Sequence, residues 1–245
     1  MRKLLGYFLS PITIVLFFLV LCIFQPVQWL CYRLGGYAAH KRSVDILNFC
    51  LTATFYFLGD TVTYTNHQNL PVGRPIIFLA NHQSLLDIPP LIWHLRRYHA
   101  KFISKIELTK NIPSISYNLK VGGGANIDRK DQRQSITELM KLGQRMKDNN
   151  WSAVIFPEGT RSADGVVRKF QSAGIATILK KCPHALLVPI AINNSWQVVR
   201  YGIYPLNTFI SVTLQVLEPI EPNGAPVDEL VALAESRIRE RLGQA

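Results

Sequence analysis

The 245-residue sequence lacks the motifs that usually mark metal, disulfide, dinucleotide or serine-hydrolase chemistry. Its four cysteines show neither metal-ligand spacing nor a disulfide framework, which indicates reduced thiols facing a cytosolic compartment. His94 and His99 are not spaced as paired zinc ligands, and no cysteine or carboxylate cluster accompanies them. There is no Gly-x-Ser-x-Gly elbow, and the glycines at 122–124 do not match a dinucleotide fingerprint. We therefore expect no bound metal and no cofactor.

Acidic residues are also scarce, since 16 of them accompany 27 lysines and arginines and leave a formal charge of +11. Such an excess suits nucleic acid, or else an anionic lipid or phosphorylated substrate. The basic residues are scattered, and no basic arm, recognition helix or aromatic RNA-binding signature accompanies them. The apolar N-terminus favours lipid, so we predict no nucleic-acid partner.

Residues 4–30 contain no charged side chain, and about 20 apolar residues suffice to cross a bilayer core. A signal peptide is the competing interpretation, because basic residues precede the run. However, the run exceeds a typical signal-peptide core, and Trp29, Tyr32 and Arg33 resemble an interfacial anchor. The pattern therefore favours a retained membrane anchor.

A second apolar stretch covers residues 44–58, but Asp45 and Asn48 make it a less convincing span. Basic residues flank the first stretch at both ends, so the positive-inside rule assigns it no orientation. Two interpretations remain open: a helical hairpin that dips into one leaflet, or one spanning helix followed by a core helix. We predict an anchor over residues 1–59 and one catalytic domain over residues 60–245.

From about residue 60 onward, short apolar runs alternate with amphipathic stretches, which is typical of an α/β domain. The amphipathic stretches have helical spacing, as in the segment around Leu139 and Leu142. We predict strands at 62–65, 75–80, 101–104, 152–156, 186–192 and 210–217, and helices at 91–97, 134–147, 173–180 and 227–242.

The segment Asn-His-Gln-Ser-Leu-Leu-Asp at 81–87 directly follows a predicted strand. On a regular helix His82 and Asp87 would diverge by roughly 140°. They can meet only if His82 lies on the turn that leaves the strand and Asp87 lies near the next helix start. Pro89 and Pro90 support that start, because proline is tolerated in a first helical turn. The alternative makes Asp87 or Ser84 an ordinary helix cap.

A second segment, Phe-Pro-Glu-Gly-Thr-Arg-Ser at 156–162, follows another predicted strand. Its glycine permits a tight turn, and its polar groups lie at the carboxyl end of the strand. Open α/β sheets usually bind ligands there. Taken alone, the segment could be an ordinary glycine turn.

Together the two segments resemble the glycerolipid acyltransferase family, specifically the 1-acylglycerol-3-phosphate acyltransferases. Three further blocks are similar to that family: Ser-Lys-Ile-Glu-Leu at 104–108, Ile-Asp-Arg at 127–129 and Val-Pro-Ile-Ala-Ile at 188–192. The chain departs from the family pattern at 170–174, where a basic stretch is replaced, and at 110–124, which is polar and then glycine-rich. The resemblance implies a glycerol-3-phosphate acyltransferase-like fold, with a central mixed sheet flanked by helices and preceded by the apolar segment.

The resemblance also implies transfer of a fatty acyl group from acyl-CoA or acyl carrier protein to the sn-2 hydroxyl of 1-acyl-glycerol-3-phosphate. His82 would be the general base, with Asp87 orienting it, as in the carboxylate–histidine pairs of other acyl-transfer enzymes. No serine nucleophile is needed, and the sequence identifies no oxyanion donor. Implied substrate-binding residues are Lys105, Arg129 and Arg161 for the acceptor phosphate, with Glu158, Gly159 and Thr160 shaping the pocket.

Two alternatives remain. One is an acyltransferase acting on another lysophospholipid, a lyso-aminolipid or a glycolipid precursor, and the other is a catalytically silent lipid-binding scaffold. Intact His82 and Asp87 argue against the silent scaffold. The expected partners are the membrane lipid acceptor and the acyl donor, and the expected location is a membrane, with the catalytic domain on the cytoplasmic side of a bacterial inner membrane.

Overall fold

The computed structural model describes residues 2–244, which form one seven-stranded sheet and the helices around it. The strands are β1 (Thr61–Asn66), β2 (Ile76–Ala80), β3 (Ala100–Lys105), β4 (Ala125–Ile127), β5 (Ser152–Ile155), β6 (Leu186–Asn193) and β7 (Ser211–Val216). The α-helices are α1 (Arg2–Ala53), α2 (Ile88–His94), α3 (Ile115–Val121), α4 (Gln132–Asn149), α5 (Ala173–Leu179), α6 (Ser195–Val198) and α7 (Val227–Arg241). Short 3₁₀ turns lie at Thr54–Leu58, Leu85–Asp87, Arg96–Tyr98 and Ile106–Thr109.

The strands lie in the order β1-β7-β6-β2-β5-β3-β4. Strands β6 and β7 pair antiparallel, and the other neighbouring strands pair parallel. The central strands β2, β5 and β6 are continuous apolar runs that are almost entirely buried, as expected of strands covered on both faces. This mixed sheet flanked by helices, preceded by a long apolar helix, confirms the predicted fold class.

Each face of the sheet has its own hydrophobic core. On one face, α4, α5 and α7 contribute Leu142, Ile178 and Ile238 against buried residues of β2 such as Ile77. On the other face, the end of the N-terminal segment and α2 pack against Phe78. Because both faces are occupied, the ends of the strands are the part of the sheet that a ligand can reach.

Four parallel neighbours, β2, β5, β3 and β4, have their carboxyl ends on the same side of the sheet. This row of strand ends is called here the carboxyl edge, and the row of their amino ends is called the amino edge. Leu79 of β2 pairs with Ile155, the last residue of β5. Lys105, the last residue of β3, pairs with Ile127, the last residue of β4. The segments that follow these strands, including 81–87 and 156–162, are thereby delivered to the same side of the molecule.

Helix α1 is bent back on itself at Gly36, whose backbone angles (φ 64°, ψ −157°) are not helical. Leu21 before the bend packs against Leu47 and Leu51 after it. Close to the bend, the rings of Tyr32 and His40 lie 5.8 Å apart. The residues pair symmetrically about Gly36, so α1 is a hairpin of two antiparallel arms, residues 2–35 and 37–53. Its sequence is long and apolar enough to cross a membrane.

The hairpin packs directly on the α/β core. A Cβ atom on Gly6 would lie only 2.2 Å from the carbonyl oxygen of Leu206, so the first arm approaches the backbone as closely as glycine allows. Ser10 Oγ accepts a hydrogen bond from the Leu206 amide (2.8 Å), and Ser114 Oγ donates one to the Leu21 carbonyl (2.6 Å). The division at residue 60 into anchor and catalytic domain stays a prediction.

The strands and helices predicted from the sequence are all present, with ends shifted by at most three residues. The α2 helix starts earlier than predicted because Pro89 and Pro90 occupy its first turn, and it ends before a separate 3₁₀ turn that His99 terminates with φ 53°. The sequence did not predict α3, α6 and β4. Strand β4 has only three residues, too few for a periodic pattern, and is defined by its pairing with β3.

Candidate active site

His82 and Asp87 meet at the carboxyl edge of the sheet. His82 lies on the turn that leaves β2, and Asp87 ends a 3₁₀ turn and is the residue before α2. His82 Nδ1 and Asp87 Oδ2 are 2.8 Å apart. Ser84 caps the turn, because its hydroxyl accepts a hydrogen bond from the Leu86 amide (3.0 Å) and its own amide donates to Asp87. The Asp87 carboxylate therefore takes part in capping the 3₁₀ turn, through the Ser84 amide, and also pairs with His82.

Asp87 is 1% exposed, and its carboxylate is surrounded by donors. Besides His82, Oδ2 accepts hydrogen bonds from the amides of Gln83 (2.8 Å) and Ser84 (2.9 Å). Oδ1 accepts one from the Ser195 hydroxyl. A buried carboxylate is costly unless it is fully hydrogen-bonded, and these donors meet that requirement. A carboxylate in this position assigns the Nδ1–H tautomer to His82 and leaves Nε2 as the basic nitrogen.

Two residues that position Asp87 through hydrogen bonds, Ser195 and Gln83, were not predicted from the sequence. Ser195 is fully buried at the start of α6, just after β6. The backbone amide of Ser195 donates a hydrogen bond to the side-chain oxygen Oε1 of Gln83 (3.0 Å). The side-chain nitrogen Nε2 of Gln83 lies 3.5 Å from the Gly165 carbonyl oxygen. Because β6 pairs parallel with β2, its end reaches the carboxyl edge too. That adjacency is a tertiary feature, and the apolar block in β6 contained no sign of it.

The His82 ring is stacked on the ring of Phe156, with centroids 4.0 Å apart and an interplanar angle of 16°. The stacking and the Asp87 contact fix both the position and the rotation of the imidazole. Its side chain keeps 15% of its accessible surface, so a substrate can approach it. Among residues 2–244, Nε2 has no hydrogen-bond partner and is free to take a proton.

Glu158 joins the histidine turn to the second motif loop. It is buried, with Oε1 accepting from the His82 amide (2.6 Å) and Oε2 accepting from the Arg168 amide (2.9 Å). Burial raises the pKa of this carboxyl, although both amide hydrogen bonds oppose the rise. The Ser162 amide also donates to the His82 carbonyl (2.8 Å). Since both carboxylate oxygens of Glu158 are engaged by backbone donors, its contacts are those of a positioning residue.

The three candidate phosphate-binding cations all lie near the carboxyl edge. Lys105 ends β3, Arg129 is two residues beyond β4, and Arg161 lies in the loop that follows β5. All three side chains are exposed, and none forms an ion pair within residues 2–244. Gly159 (φ 70°) and Thr160 are exposed in the same loop as Arg161. The sheet thus collects around one edge the residues that the sequence motifs had singled out.

No group of three or more histidine, cysteine or acidic side chains within residues 2–244 could hold a metal ion. The chemistry that the site offers is instead acid–base: a histidine whose basic nitrogen is accessible, an oriented tautomer, and nearby positive charge. Together with the α/β sheet, these features define the class of protein, an enzyme built around an oriented histidine base.

Comparison with known proteins specifies that class further. The family model named Acyltransferase matches residues 61–193, more than half of the chain. The chain therefore belongs to the acyltransferase family, which confirms the resemblance found in its motifs. The matched range begins with β1 and ends with β6, so it contains both motif segments.

Several curated proteins are similar to this chain. The human 1-acyl-sn-glycerol-3-phosphate acyltransferase beta is 28% identical over 206 residues, which are 83% of this chain and 71% of that protein. A Chlamydomonas reinhardtii 1-acyl-sn-glycerol-3-phosphate acyltransferase is 33% identical over 175 residues, or 70% of this chain and 49% of that protein. The chain thus spans about half the length of the algal relative.

The fold is shared with a solved structure, the crystal structure of the 1-acyl-sn-glycerophosphate acyltransferase PlsC from Thermotoga maritima. The TM-score is 0.78 at 23% sequence identity, and the match covers 100% of this chain and 97% of the other. Because the match extends over the whole chain, it includes the N-terminal hairpin as well as the sheet.

Proposed function

We propose that this enzyme transfers a fatty acyl group from a thioester donor to the sn-2 hydroxyl of 1-acyl-glycerol-3-phosphate, forming phosphatidic acid. The observation that carries the proposal is the His82–Asp87 pair on the same sheet edge as three cations that have no ion-pair partner within residues 2–244. The names of the curated relatives support the same acceptor.

The chemical step follows from the orientation of His82. Nε2 takes the proton of the acceptor hydroxyl as its oxygen attacks the thioester carbonyl, and Asp87 stabilises the imidazolium that forms. A carbon–oxygen bond forms, the carbon–sulfur bond breaks, and the imidazolium returns the proton to the departing thiolate. No acyl-enzyme is required, because the substrate supplies the attacking hydroxyl.

The cations Lys105, Arg129 and Arg161 would bind the acceptor phosphate. Arginine suits bidentate contact with phosphate oxygens, and lysine adds a point charge. Arg161→Ala should raise the KM for the acceptor at least ~10-fold, as expected for loss of one charge-assisted contact, and change the KM for the donor little. Steady-state kinetics with each substrate varied in turn measures both values. Equal effects on acceptor and donor would contradict the phosphate role.

The hairpin would attach the enzyme to the membrane in which acceptor and product reside. Exposed apolar side chains on its arms, such as Phe8, Phe18 and Phe49, support that attachment. For the catalytic core we propose the cytoplasmic side of a bacterial inner membrane, and the free cysteines support a reducing compartment. The acidic donor, acyl-CoA or acyl carrier protein, would dock on the positively charged surface.

The test is acyl transfer by the detergent-purified chain from labelled acyl-CoA or acyl carrier protein to a panel of lysolipids. The His82→Ala variant is the inactive comparison, and His67→Ala, at an exposed histidine, is the matched control. Labelled phosphatidic acid formed by the unmodified chain and by the control alone supports both reaction and base. Transfer only to another lysolipid would keep the mechanism and refute the acceptor, and no transfer to any acceptor would favour a silent scaffold.

A further inference from the structure

A pocket of about 210 Å³, separate from the site around His82, lies between β1 and the turn that follows α2. The pocket lies at the amino ends of the central parallel strands, on the opposite side of the sheet from His82. Helix α2 starts at the carboxyl edge and leads to the pocket, and β1, which runs antiparallel to β6, ends beside it. The lining residues are aromatic, basic or amide-bearing: Tyr64, Asn66, His94, Arg96, Arg97 and Tyr98.

The pocket is positively charged, and no carboxylate from residues 2–244 lines it. Arg96 and Arg97 are exposed and form no ion pair within residues 2–244. The carboxylate of Asp45, which interacts electrostatically with Arg96, is already paired with Lys41 at 2.5 Å. The Lys41 ammonium also donates to the Arg96 carbonyl (2.6 Å), so the Lys41–Asp45 pair, which carries no net charge, lies beside the pocket.

Two neutral donors complement the arginines. The rings of Tyr64 and His94 are stacked, with centroids 4.4 Å apart and an interplanar angle of 5°. Burial raises the pKa of Tyr64 to about 12, so its hydroxyl remains a donor at neutral pH. Burial, followed by the nearby Arg96 charge, lowers the pKa of His94, which keeps the imidazole neutral. The pocket thus offers charged and neutral hydrogen-bond donors to an anion.

The pocket is continuous with the apolar outer surface of the hairpin. Phe49, 49% exposed on the second arm, contacts Trp93 with ring centroids 4.7 Å apart. The guanidinium of Arg96, which lines the pocket, lies 3.9 Å from the centre of the Trp93 ring. An exposed apolar helix, then tryptophan, then arginine is the order in which side chains cross a membrane–water interface.

We propose that this pocket binds the phosphate of an anionic membrane phospholipid headgroup, at a site separate from the catalytic one. The proposal rests on the membrane attachment given under the proposed function. A lipid held here would fix the depth and tilt of the catalytic core on the membrane surface. The charge of the pocket complements the headgroup, and the apolar surface beside it complements the acyl chains.

The test uses the full chain in zwitterionic detergent micelles, titrated with chain-labelled phosphatidylglycerol. This lipid is a phosphodiester whose diacylglycerol part has no free sn-2 hydroxyl, so it is not the acceptor of the proposed reaction. Arg97→Gln and the double variant Arg96→Gln/Arg97→Gln are compared with Lys180→Gln, which removes an exposed charge at the end of α5, on the opposite face of the sheet. We expect affinity to fall about fivefold for each arginine removed. We expect no change for Lys180→Gln.

Unchanged affinity in the double variant, or an equal loss in Lys180→Gln, would overturn the proposal. Inorganic phosphate is titrated in parallel, and arginine-dependent phosphate binding that phosphatidylglycerol does not displace would assign the pocket to a soluble anion instead. Thermal unfolding verifies that the glutamine variants are folded. Acyl transfer in the same micelles should be retained by all variants, so failure of the unmodified chain to transfer would count against the proposed function and not against this site.

Discussion

The buried carboxylates at the carboxyl ends of the parallel strands are fully hydrogen-bonded, whereas several buried polar groups near the amino ends have no hydrogen-bond partner within residues 2–244. At the carboxyl edge, Asp87 and Glu158 are buried, and each of their oxygens accepts hydrogen bonds. At the amino edge, the hairpin bend meets β3 and β5 in a cluster of Tyr37, His99, Lys101 and Trp151, called here the hairpin joint. There the Lys101 ammonium contacts the Tyr37 hydroxyl and lies 4.5 Å from the centre of the Trp151 ring.

Several polar atoms at or near the hairpin joint are unsatisfied. His99 Nε2 and both ring nitrogens of the buried His40 have no hydrogen-bond partner within residues 2–244. Burial, followed by the charges of Lys101 and Lys41, lowers the pKa of His99 to about 4. Burial also lowers the pKa of Lys101 to about 7. The comparison suggests that the carboxyl edge is built for rigid geometry, whereas the joint holds two layers together by aromatic stacking at an electrostatic cost.

The largest effect is expected from Asp87→Asn. An asparagine can present its amide to His82 Nδ1 and stabilise the wrong tautomer, and in the serine-protease triad the equivalent change lowers kcat by about 10⁴. We expect a loss of kcat on the order of 10³–10⁴ without loss of the fold, measured by acyl transfer and thermal unfolding. Asp228→Asn, at an exposed aspartate in α7, is the matched control. Retention of more than about a tenth of the activity would refute the orienting role.

A smaller effect is expected from Glu158→Gln. Glutamine has one acceptor oxygen, so the amide of His82 or that of Arg168 loses its partner, at a cost of about 1–3 kcal/mol in the free energy of unfolding. The histidine turn then loses its fixed position, and kcat should fall up to about 100-fold. Denaturant unfolding and acyl transfer measure the two effects. The exposed Glu240→Gln should change neither, and a stable, fully active Glu158→Gln would show that the tie is dispensable.

Ser195→Ala should have a milder effect, because Asp87 keeps its other donors. Without the Ser195 hydroxyl, more of the carboxylate charge acts on His82 and stabilises the imidazolium. Because Asp87 also loses a contact that positions it, we expect kcat to fall by about tenfold or less, while the acid limb of the pH–rate profile should move to higher pH. Ser236→Ala, at an exposed serine of α7, should leave the profile unchanged. An unshifted acid limb in Ser195→Ala would show that this serine only fills space.

The smallest effect on catalysis is expected from Lys101→Met, which tests the hairpin joint. The folded-state pKa of Lys101 lies below the ordinary value of 10.5, so the unfolded chain binds more protons between pH ~7 and ~10.5. The free energy of unfolding should therefore rise with pH across this window, with a slope of at most about 1.4 kcal/mol per pH unit from this group. Lys101→Met should remove that rise in detergent-solubilised protein and leave kcat unchanged. Lys180→Met should preserve the rise; a persisting rise in Lys101→Met would assign it elsewhere.

Much of the fold followed from the sequence because its signals are local. Apolar runs such as β2 and β6, and the helical spacing in α4, are readable within a short window. The pairing of His82 with Asp87 was implied by the family resemblance, whereas the strand, the turn and Pro89 by themselves left an ordinary helix cap open. The three-residue β4 and the helix α3 did not follow, because the polar segment before them has no periodicity and β4 exists only as a partner of β3.

The sequence by itself determined the α/β class, the motif residues at the ends of β2 and β5, and an apolar N-terminus. Only the tertiary structure decided that α1 doubles back at Gly36, that Ser195 supports Asp87, and that Lys101 is buried beneath the hairpin bend. The physical reason is range: propensity and capping act over a few residues, whereas strand order and hairpin docking bring together groups as far apart as Tyr37 and Trp151 or Asp87 and Ser195. Those long-range contacts depend on packing the whole chain at once, which no short window of sequence encodes.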